Sequence, residues 1–299
     1  MPSIPDELKI PYESQVPLDS LTWYGVGGPA KVLAHPSSVH QLSALAAQCH
    51  KKNIPVYVLG SGANLLVTDQ GINGVVVRLN DPCFKQLKID SKYVTAGAGY
   101  DLAKLVLETA KRGLGGLACL AGIPATVGGA VRMNAGGTFG EIGHAVRRVR
   151  VMGANGQTYY RDRDDLIFSY RKTNIVAPYI LEVEFELVPD DPEVVMRQVK
   201  EIFLYKKTSQ PLAADSAGCA FKNPDPQESG GASAGKLIEQ AGLKGYRVGG
   251  AYVSEMHANF IVTTKPCTAA DVLSVLQHVK QTIHNLYNIS LQREVIVWP

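Results

Sequence analysis

The sequence lacks several features that would assign it to a class of protein at once. Its formal net charge of +3 over 299 residues is too small to indicate a nucleic-acid partner. No apolar run approaches the roughly 18 residues of a membrane-spanning helix, and the first fifteen residues have no apolar core of a secretory signal. The five cysteines show no CxxC spacing, which argues against a zinc site and a disulfide framework. We therefore expect a cytoplasmic globular protein without metal, nucleic-acid partner or membrane insertion.

The usual nucleotide-binding loops are also missing. GSGANL (60–65) follows the strand-like run VYVLG, but a leucine occupies the place of the third Rossmann glycine, and no GK[ST] of a P-loop is present. What remains is a tight loop in which backbone N–H groups, the Ser61 hydroxyl and the Asn64 carboxamide could hold a pyrophosphate. A plain connection between two strands is the alternative.

A second glycine-rich stretch, AGIPATVGGAVRMNAGG (121–137), contains five glycines and a single charged residue, Arg132. The stretch is too rich in glycine for a stable helix and too apolar for a solvated linker. Glycine also lets a ligand approach the backbone where a Cβ would collide with it. We expect ligand contact here, with a buried turn between strands as the alternative.

Hydrophobic periodicity predicts an α+β protein, because helices and short strands alternate irregularly and include hairpin-like pairs. The strand YILEVEFELV alternates apolar residues with glutamates, which is typical of a sheet with one wet face. The last helix should turn Val272, Leu276, Val279, Ile283 and Leu286 towards a core. The predicted helices cover residues 36–53, 101–112, 192–207, 233–241 and 269–288, and the segment 208–218 marks a domain boundary.

Three side chains could carry chemistry. Arg171 lies in FSYRKT (168–173), and a guanidinium is the usual partner of a substrate carboxylate; a surface arginine is the alternative. Cys219 lies among small residues in DSAGCAFKNP (215–224), where it is either a proton-bearing thiol or an inert buried cysteine. Glu294 enters an otherwise apolar strand and is either paired with Arg293 or functional.

Together these segments resemble the UDP-N-acetylenolpyruvoylglucosamine reductase family of peptidoglycan precursor synthesis. The resemblance implies an FAD-binding fold of the vanillyl-alcohol oxidase and p-cresol methylhydroxylase type over residues 1–207, with lobes of about 1–80 and 81–207. An α+β substrate domain would follow over 208–299. The matching segments, in chain order, are WYGVGGPA (23–30), residues 58–77, residues 116–137, FSYRKT (168–173), SAGCAFKNP (216–224), SAGKLIEQAGLKG (233–245), VSEMHANFIV (253–262) and REV (293–295).

The resemblance implies non-covalently bound FAD as cofactor, NADPH as hydride donor and a UDP-sugar as substrate. The cofactor contacts are expected in the two glycine-rich loops and at one later strand. They are Gly60, Ser61, Gly62, Ala63, Asn64, Leu65, Gly122, Ile123, Pro124, Ala125, Thr126, Gly128, Gly129 and Ile180.

The resemblance also implies roles for the three chemical residues. Arg171 holds and polarises the substrate carboxylate, Glu294 partners that interaction, and Cys219 stands where most members carry a proton-donating serine. Lys222, Asn223 and His257 are expected to join Arg171 in binding substrate, with a structural role for His257 as the alternative. We also expect a monomer of the family class that lacks a tyrosine-bearing loop.

Two other functions are compatible with the same segments. One is an oxidase or dehydrogenase of the same flavin fold with a different substrate. The other is a nucleotide-binding protein without redox chemistry, which the joint presence of Arg171, Cys219 and Glu294 disfavours.

Overall fold

The computed structural model describes residues 4–299. Helices and strands alternate irregularly along the chain, as the periodicity predicts. The helices are α1 (Ile4–Glu7), α2 (Val39–Lys51), α3 (Leu102–Ala110), α4 (Val127–Arg132), α5 (Pro192–Ser209), α6 (Pro226–Ser229), α7 (Ala234–Gln240) and α8 (Ala269–Tyr287). The strands are β1 (Tyr12–Pro17), β2 (Pro29–Ala34), β3 (Val56–Leu59), β4 (Leu65–Val67), β5 (Ile72–Arg78), β6 (Leu87–Asp90), β7 (Tyr93–Gly97), β8 (Leu114–Gly115), β9 (Gly136–Gly137), β10 (Gly140–Glu141), β11 (Val146–Met152), β12 (Thr158–Asp162), β13 (Phe168–Ser169), β14 (Lys172–Thr173), β15 (Tyr179–Glu186), β16 (Val188–Pro189), β17 (Arg247–Val248), β18 (Ala251–Val253), β19 (Ile261–Thr263) and β20 (Ile296–Trp298).

The described chain divides into two units. The first contains the residues up to Val16 together with Lys31–Ser61 and Asn73–Tyr205, and the second contains Pro17–Ala30, Gly62–Ile72 and Lys206–Pro299. The second unit therefore includes two early segments that the sequence division had assigned to the FAD-binding part. Later in the chain, the first unit ends at Tyr205 and the second resumes at Lys206. This boundary falls within α5, next to the predicted boundary segment 208–218.

The first unit is built on a five-stranded antiparallel sheet in the order β12-β11-β15-β7-β6. In β15 the apolar Leu181, Val183 and Phe185 are buried. The intervening glutamates face outwards, and two of them form ion pairs, Glu184 with Arg147 and Glu186 with Lys92. The strand with one wet face is thus confirmed.

A four-stranded sheet in the order β1-β2-β5-β3 lies mainly in the first unit, with β3 and β5 parallel. Helix α2 begins after Ser38, whose Oγ accepts a hydrogen bond from Gln41 N at 3.2 Å. Its buried Leu42 and Leu45 join the same hydrophobic core as Val77 and Val183. Residues from both predicted lobes therefore share one core.

The second unit combines the antiparallel sheet β17-β18-β19 with the parallel pair β20-β4. Helix α8 packs on that three-stranded sheet and starts with a capping box between Thr268 and Asp271. The prediction for Leu286 is wrong, because its side chain is 58% exposed. The helix ends one residue later at Tyr287, which a left-handed Asn288 follows, so its last turn extends beyond the core.

Candidate active site

The two predicted cofactor loops meet in the first unit. Ser61 Oγ donates a hydrogen bond to the Pro124 carbonyl oxygen at 2.9 Å. A Cβ added at Gly60 would lie 2.9 Å from Thr126 Oγ1, and one at Gly128 would lie 2.8 Å from the Ala98 Cβ. Glycine is therefore required at both places for this close packing of backbone. Residues 60–61 and 122–129 thus form a closely packed cradle in which two glycines leave no room for a Cβ.

The glycine-rich stretch contains a short helix, so the expectation that it could not be helical is wrong. Helix α4 begins after Thr126, whose Oγ1 accepts a hydrogen bond from Gly129 N at 3.3 Å. Val127 and Val131 are fully buried. Burial of this apolar face outweighs the helix propensity cost of about 1 kcal/mol that each of its two glycines carries.

The second half of the first loop lies in the second unit. Gly62 has a φ of +71°, and a Cβ there would lie 2.1 Å from the Leu21 carbonyl oxygen. Asn64 Nδ2 donates to the Glu294 carbonyl oxygen at 3.2 Å. Leu65 pairs in parallel with Ile296. These three predicted cofactor contacts thus have structural partners of their own, and the fourth, Ala63, lies between Gly62 and Asn64 in the chain.

Ile180 has a different setting from the other predicted cofactor contacts. It is buried in β15, in register with Val151 of β11. Its side chain belongs to the core of the first unit.

Arg171 lies at the turn of a small hairpin formed by β13 and β14. The strands pair through Phe168 with Thr173 and Ser169 with Lys172. Arg171 has a φ of +54°, a left-handed conformation that is uncommon for a residue with a Cβ. Its Nη1 donates to the Gly136 carbonyl oxygen at 2.9 Å. The glycine-rich stretch therefore also contacts the predicted carboxylate-binding residue.

Arg132, the single charge of that stretch, is a structural anchor that the sequence reasoning did not assign. Its guanidinium donates to the Ile175 carbonyl, to Ala177 O at 2.5 Å and to Pro178 O at 3.1 Å. Burial lowers the pKa of this guanidinium. A single charged residue in an apolar stretch is a signal in the sequence that could have predicted buried hydrogen-bond partners for Arg132.

Cys219 lies in an extended segment held on both sides within the second unit. On one side Cys219 forms a β-bridge with Phe260, and Ala220 N donates to the Asn259 carbonyl oxygen at 2.7 Å. On the other side Glu294 N donates to the Ala220 carbonyl oxygen at 2.9 Å. The structure thus brings Cys219 and Glu294 onto neighbouring backbone segments, although 74 residues lie between them in the chain.

The contacts that residues 259–260 and 294 make on the two sides of residues 219–220 are called the clamp here. The Asn259 side chain strengthens this clamp and was not singled out from the sequence. Its Oδ1 accepts from Phe221 N at 3.0 Å, and its Nδ2 donates to Phe221 O at 2.8 Å. The side chain is 3% exposed. An asparagine that imitates a strand in this way fixes the backbone two residues beyond Cys219.

The predicted substrate contacts in the second unit have distinct settings. Lys222 is half-buried, and its backbone N–H donates to Gln292 O at 2.8 Å. Asn223 is exposed, and its Oδ1 accepts from Ala234 N at 3.0 Å at the start of α7. His257 Nδ1 accepts from Asn259 N at 3.2 Å, which places the ring hydrogen on Nε2. The structural contact of His257 therefore supports a role in the clamp.

The His257 contact predicts a pH dependence of stability. Burial lowers the pKa of His257, so the unfolded state binds a proton more readily than the folded state. Its contribution to stability is complete above the unfolded pKa of about 6.5 and is lost as the pH falls through the folded pKa. We expect His257→Asn, which keeps an acceptor near the Nδ1 position, to reduce the loss of unfolding free energy between pH 7 and pH 5. Urea titrations of the wild type and the variant at the two pH values would measure the free energy of unfolding. An equal loss in both proteins would contradict the assignment of this pH dependence to His257.

Tyr24 is a buried polar residue beside the clamp. Its side chain is 0% exposed, and its hydroxyl lacks a hydrogen-bond partner among residues 4–299. Burial, and next the charge of Cys219, raise the pKa of Tyr24 above its usual range. The tyrosine therefore stays neutral with an unsatisfied donor.

We expect Tyr24→Phe to raise the free energy of unfolding by about 1 kcal/mol, because an unsatisfied buried hydroxyl is destabilising. Thr263→Val is the matched control, since Thr263 Oγ1 donates to the Tyr24 carbonyl oxygen at 2.6 Å. That variant should lower stability by a similar amount. Denaturant titrations of both variants would measure the opposite changes in the free energy of unfolding. A loss of stability in Tyr24→Phe would contradict the prediction.

Comparison with known proteins defines the class and then the family. A model of an FAD binding domain matches residues 30–160, so the glycine cradle lies in a flavin-binding domain. A model described as UDP-N-acetylenolpyruvoylglucosamine reductase, C-terminal domain, matches residues 210–298. The chain is 39% identical to the UDP-N-acetylenolpyruvoylglucosamine reductase of Moorella thermoacetica over 97% of its own length and 94% of the relative's. The Bacillus subtilis enzyme of that name is 38% identical, with 93% and 91% covered.

A solved structure agrees with these relatives. The crystal structure of UDP-N-acetylenolpyruvylglucosamine reductase from Thermus caldophilus matches with a TM-score of 0.82 at 39% identity, covering 97% of this chain and 99% of that one. The chain belongs to the UDP-N-acetylenolpyruvoylglucosamine reductase family. The predicted family and fold class are confirmed.

Membership defines the enzyme class. The protein is an FAD-containing oxidoreductase of peptidoglycan precursor synthesis, in a family that uses NADPH as reductant. Between residues 4 and 299, no helix is long and apolar enough to cross a membrane. Across the same residues, no group of histidine, cysteine and acidic side chains could hold a metal ion.

Proposed function

We propose that the protein reduces UDP-N-acetylenolpyruvoylglucosamine to UDP-N-acetylmuramate with NADPH as the electron source and Cys219 as the proton donor. The observation that carries the proposal is the clamp that holds Cys219 next to Glu294. FAD, when bound, would supply the redox chemistry that carries a hydride from NADPH to the β-carbon of the enol ether. Residues 60–65, residues 122–129 and Ile180 are proposed to hold this cofactor.

Arg171 is proposed to bind the substrate carboxylate. Hydride addition beside a carboxylate builds negative charge on the carboxylate and α-carbon, and a fixed cation stabilises that charge. A guanidinium also offers two parallel donors to a carboxylate. The left-handed backbone at position 171 and the hydrogen bond to Gly136 limit the directions in which this side chain can point.

Cys219 is proposed to protonate the α-carbon. The S–H bond breaks as the new C–H bond forms, and the thiolate that remains takes a proton from solvent before the next turnover. A cysteine thiol has a reference pKa of about 8.5, so it gives up a proton more readily than the serine hydroxyl found at this place in most members. Glu294, 9% exposed on the neighbouring backbone segment, could in its protonated form donate a hydrogen bond to the same developing charge.

The remaining expectations complete the proposal. Lys222, Asn223 and His257 would contribute polar contacts to the UDP-sugar, and the enzyme would act as a cytoplasmic monomer of the class without a tyrosine-bearing loop. Light scattering at several protein concentrations would measure the mass. A mass that doubles with concentration would exclude the monomer.

Anaerobic stopped-flow spectroscopy tests the proposed function. NADPH alone should bleach the flavin absorbance, and subsequent addition of the enolpyruvyl sugar nucleotide should restore the yellow colour with formation of UDP-N-acetylmuramate. The matched control replaces the substrate with UDP-N-acetylglucosamine, which lacks the double bond and should leave the flavin bleached. Recolouring with the control, or none with the substrate, would overturn the proposal.

A further inference from the structure

The hairpin that carries Arg171 is too small to fix its own geometry. It consists of two residue pairs between β13 and β14, and isolated hairpins are at best marginally stable in water. Tyr170, the other turn residue, is 49% exposed. Contacts from outside the hairpin must therefore hold the turn in place.

Asn134 makes such a contact immediately before the turn. Its Nδ2 donates to the Ser169 carbonyl oxygen at 2.9 Å, and its Oδ1 accepts from Gly143 N at 3.1 Å. The side chain is 0% exposed, so both hydrogen bonds are shielded from competing water. Its amide thus joins the hairpin to the backbone that leads into β11.

The backbone of Asn134 places the amide there. Asn134 follows α4 almost directly and has a φ of +45°, a left-handed conformation that asparagine tolerates better than most residues. Phe168 packs so closely on Gly143 that a Cβ there would lie 2.4 Å from the Phe168 ring. The side of the hairpin that precedes Arg171 is thereby fixed by an amide and by a ring.

We propose that Asn134 is a positioning residue for Arg171, holding the hairpin turn so that the guanidinium meets the substrate carboxylate in the reductive step. The inference rests on the proposed role of Arg171. Small errors in the placement of a catalytic group cost about 100-fold in rate, and the Asn134 side chain links the strand before Arg171 to buried backbone.

The test uses the holoenzyme with Asn134→Ala and Asn134→Asp. The aspartate keeps the acceptor for Gly143 N and loses the donor to Ser169 O, so it separates the two hydrogen bonds. In both variants we expect flavin reoxidation by substrate to slow by about 100-fold, with flavin reduction by NADPH within about twofold of the wild type. Asn155→Ala is the matched control, since the Asn155 side chain closes a turn at Gln157 N away from the hairpin, and both rates should stay unchanged.

A double-mutant comparison separates positioning from general stability. In an Arg171→Ala background, Asn134→Asp should cause no further slowing of reoxidation. An equal slowing in both backgrounds, or a normal rate in Asn134→Asp alone, would overturn the role of Asn134 while leaving that of Arg171 intact. A normal reoxidation rate in Arg171→Ala alone would instead overturn the role of Arg171 and the positioning inference with it.

Discussion

Cys219→Ala is expected to slow the second half of the reaction strongly while leaving the first half unchanged. NADPH should still bleach the flavin at the wild-type rate, because hydride transfer to the cofactor needs no proton from Cys219. Addition of the enolpyruvyl sugar nucleotide should then restore the colour about 10²–10⁴ times more slowly, the usual cost of removing a general acid. Separate anaerobic stopped-flow traces for the two halves would measure the difference.

The matched variants give this result its meaning. Cys219→Ser restores a hydroxyl of similar size at the place where most family members carry serine, and it should keep most of the turnover. Cys267→Ala removes another half-buried thiol of the second unit and should change neither rate. A normal reoxidation rate in Cys219→Ala would exclude this residue as the proton donor.

Arg171→Ala is expected to slow flavin reoxidation by about 10²–10³-fold, the range found when one electrostatic contact to a developing negative charge is removed. Arg171→Lys should recover only part of that loss, because an ammonium keeps the charge but cannot present two parallel donors. The rate of flavin reduction by NADPH should be unchanged in both variants. Single-turnover reoxidation at saturating substrate would measure the chemical step apart from binding.

The neighbouring cation provides the control for Arg171. Lys172 is exposed on the same hairpin, so Lys172→Ala removes a positive charge close in sequence without removing the guanidinium. Its reoxidation rate should stay within about twofold of the wild type. Equal losses in Lys172→Ala and Arg171→Ala would indicate a general effect of charge and contradict the specific role of Arg171.

Patterns of burial and capping were readable from the sequence because they depend on nearby residues. Serine and aspartate are typical helix caps, and the side chains of Ser38 and Asp101 each accept a backbone hydrogen bond at the start of a helix whose range was predicted. The alternation in β15 predicted its wet face for the same local reason. Helix α4 was not predicted because its stability comes from burial of Val127 and Val131 in a core formed by residues far away in the sequence. This burial outweighs the local cost of glycine.

The candidate site was only partly readable for a related reason. Arg171, Cys219 and Glu294 were found through chemistry and family resemblance, and no pattern along the chain shows that Glu294 and Cys219 lie on neighbouring backbone. Asn134 and Asn259 were not assigned these roles, since an asparagine that satisfies buried backbone has no periodic signature. The sequence also treated residues 60–65 as one loop, whereas Ser61 and Gly62 belong to different units.

The parallel pairing of β4 with β20 has a consequence for biosynthesis. The ribosome synthesises Leu65–Val67 early. It synthesises the partner strand, Ile296–Trp298, only after more than two hundred further residues. Contacts of such long sequence separation form slowly because the chain entropy of closing the loop must first be overcome. Strand β4 therefore has to wait until residues 296–298 have been translated, and a nascent chain that stalls before residue 296 would present this strand edge to chaperones.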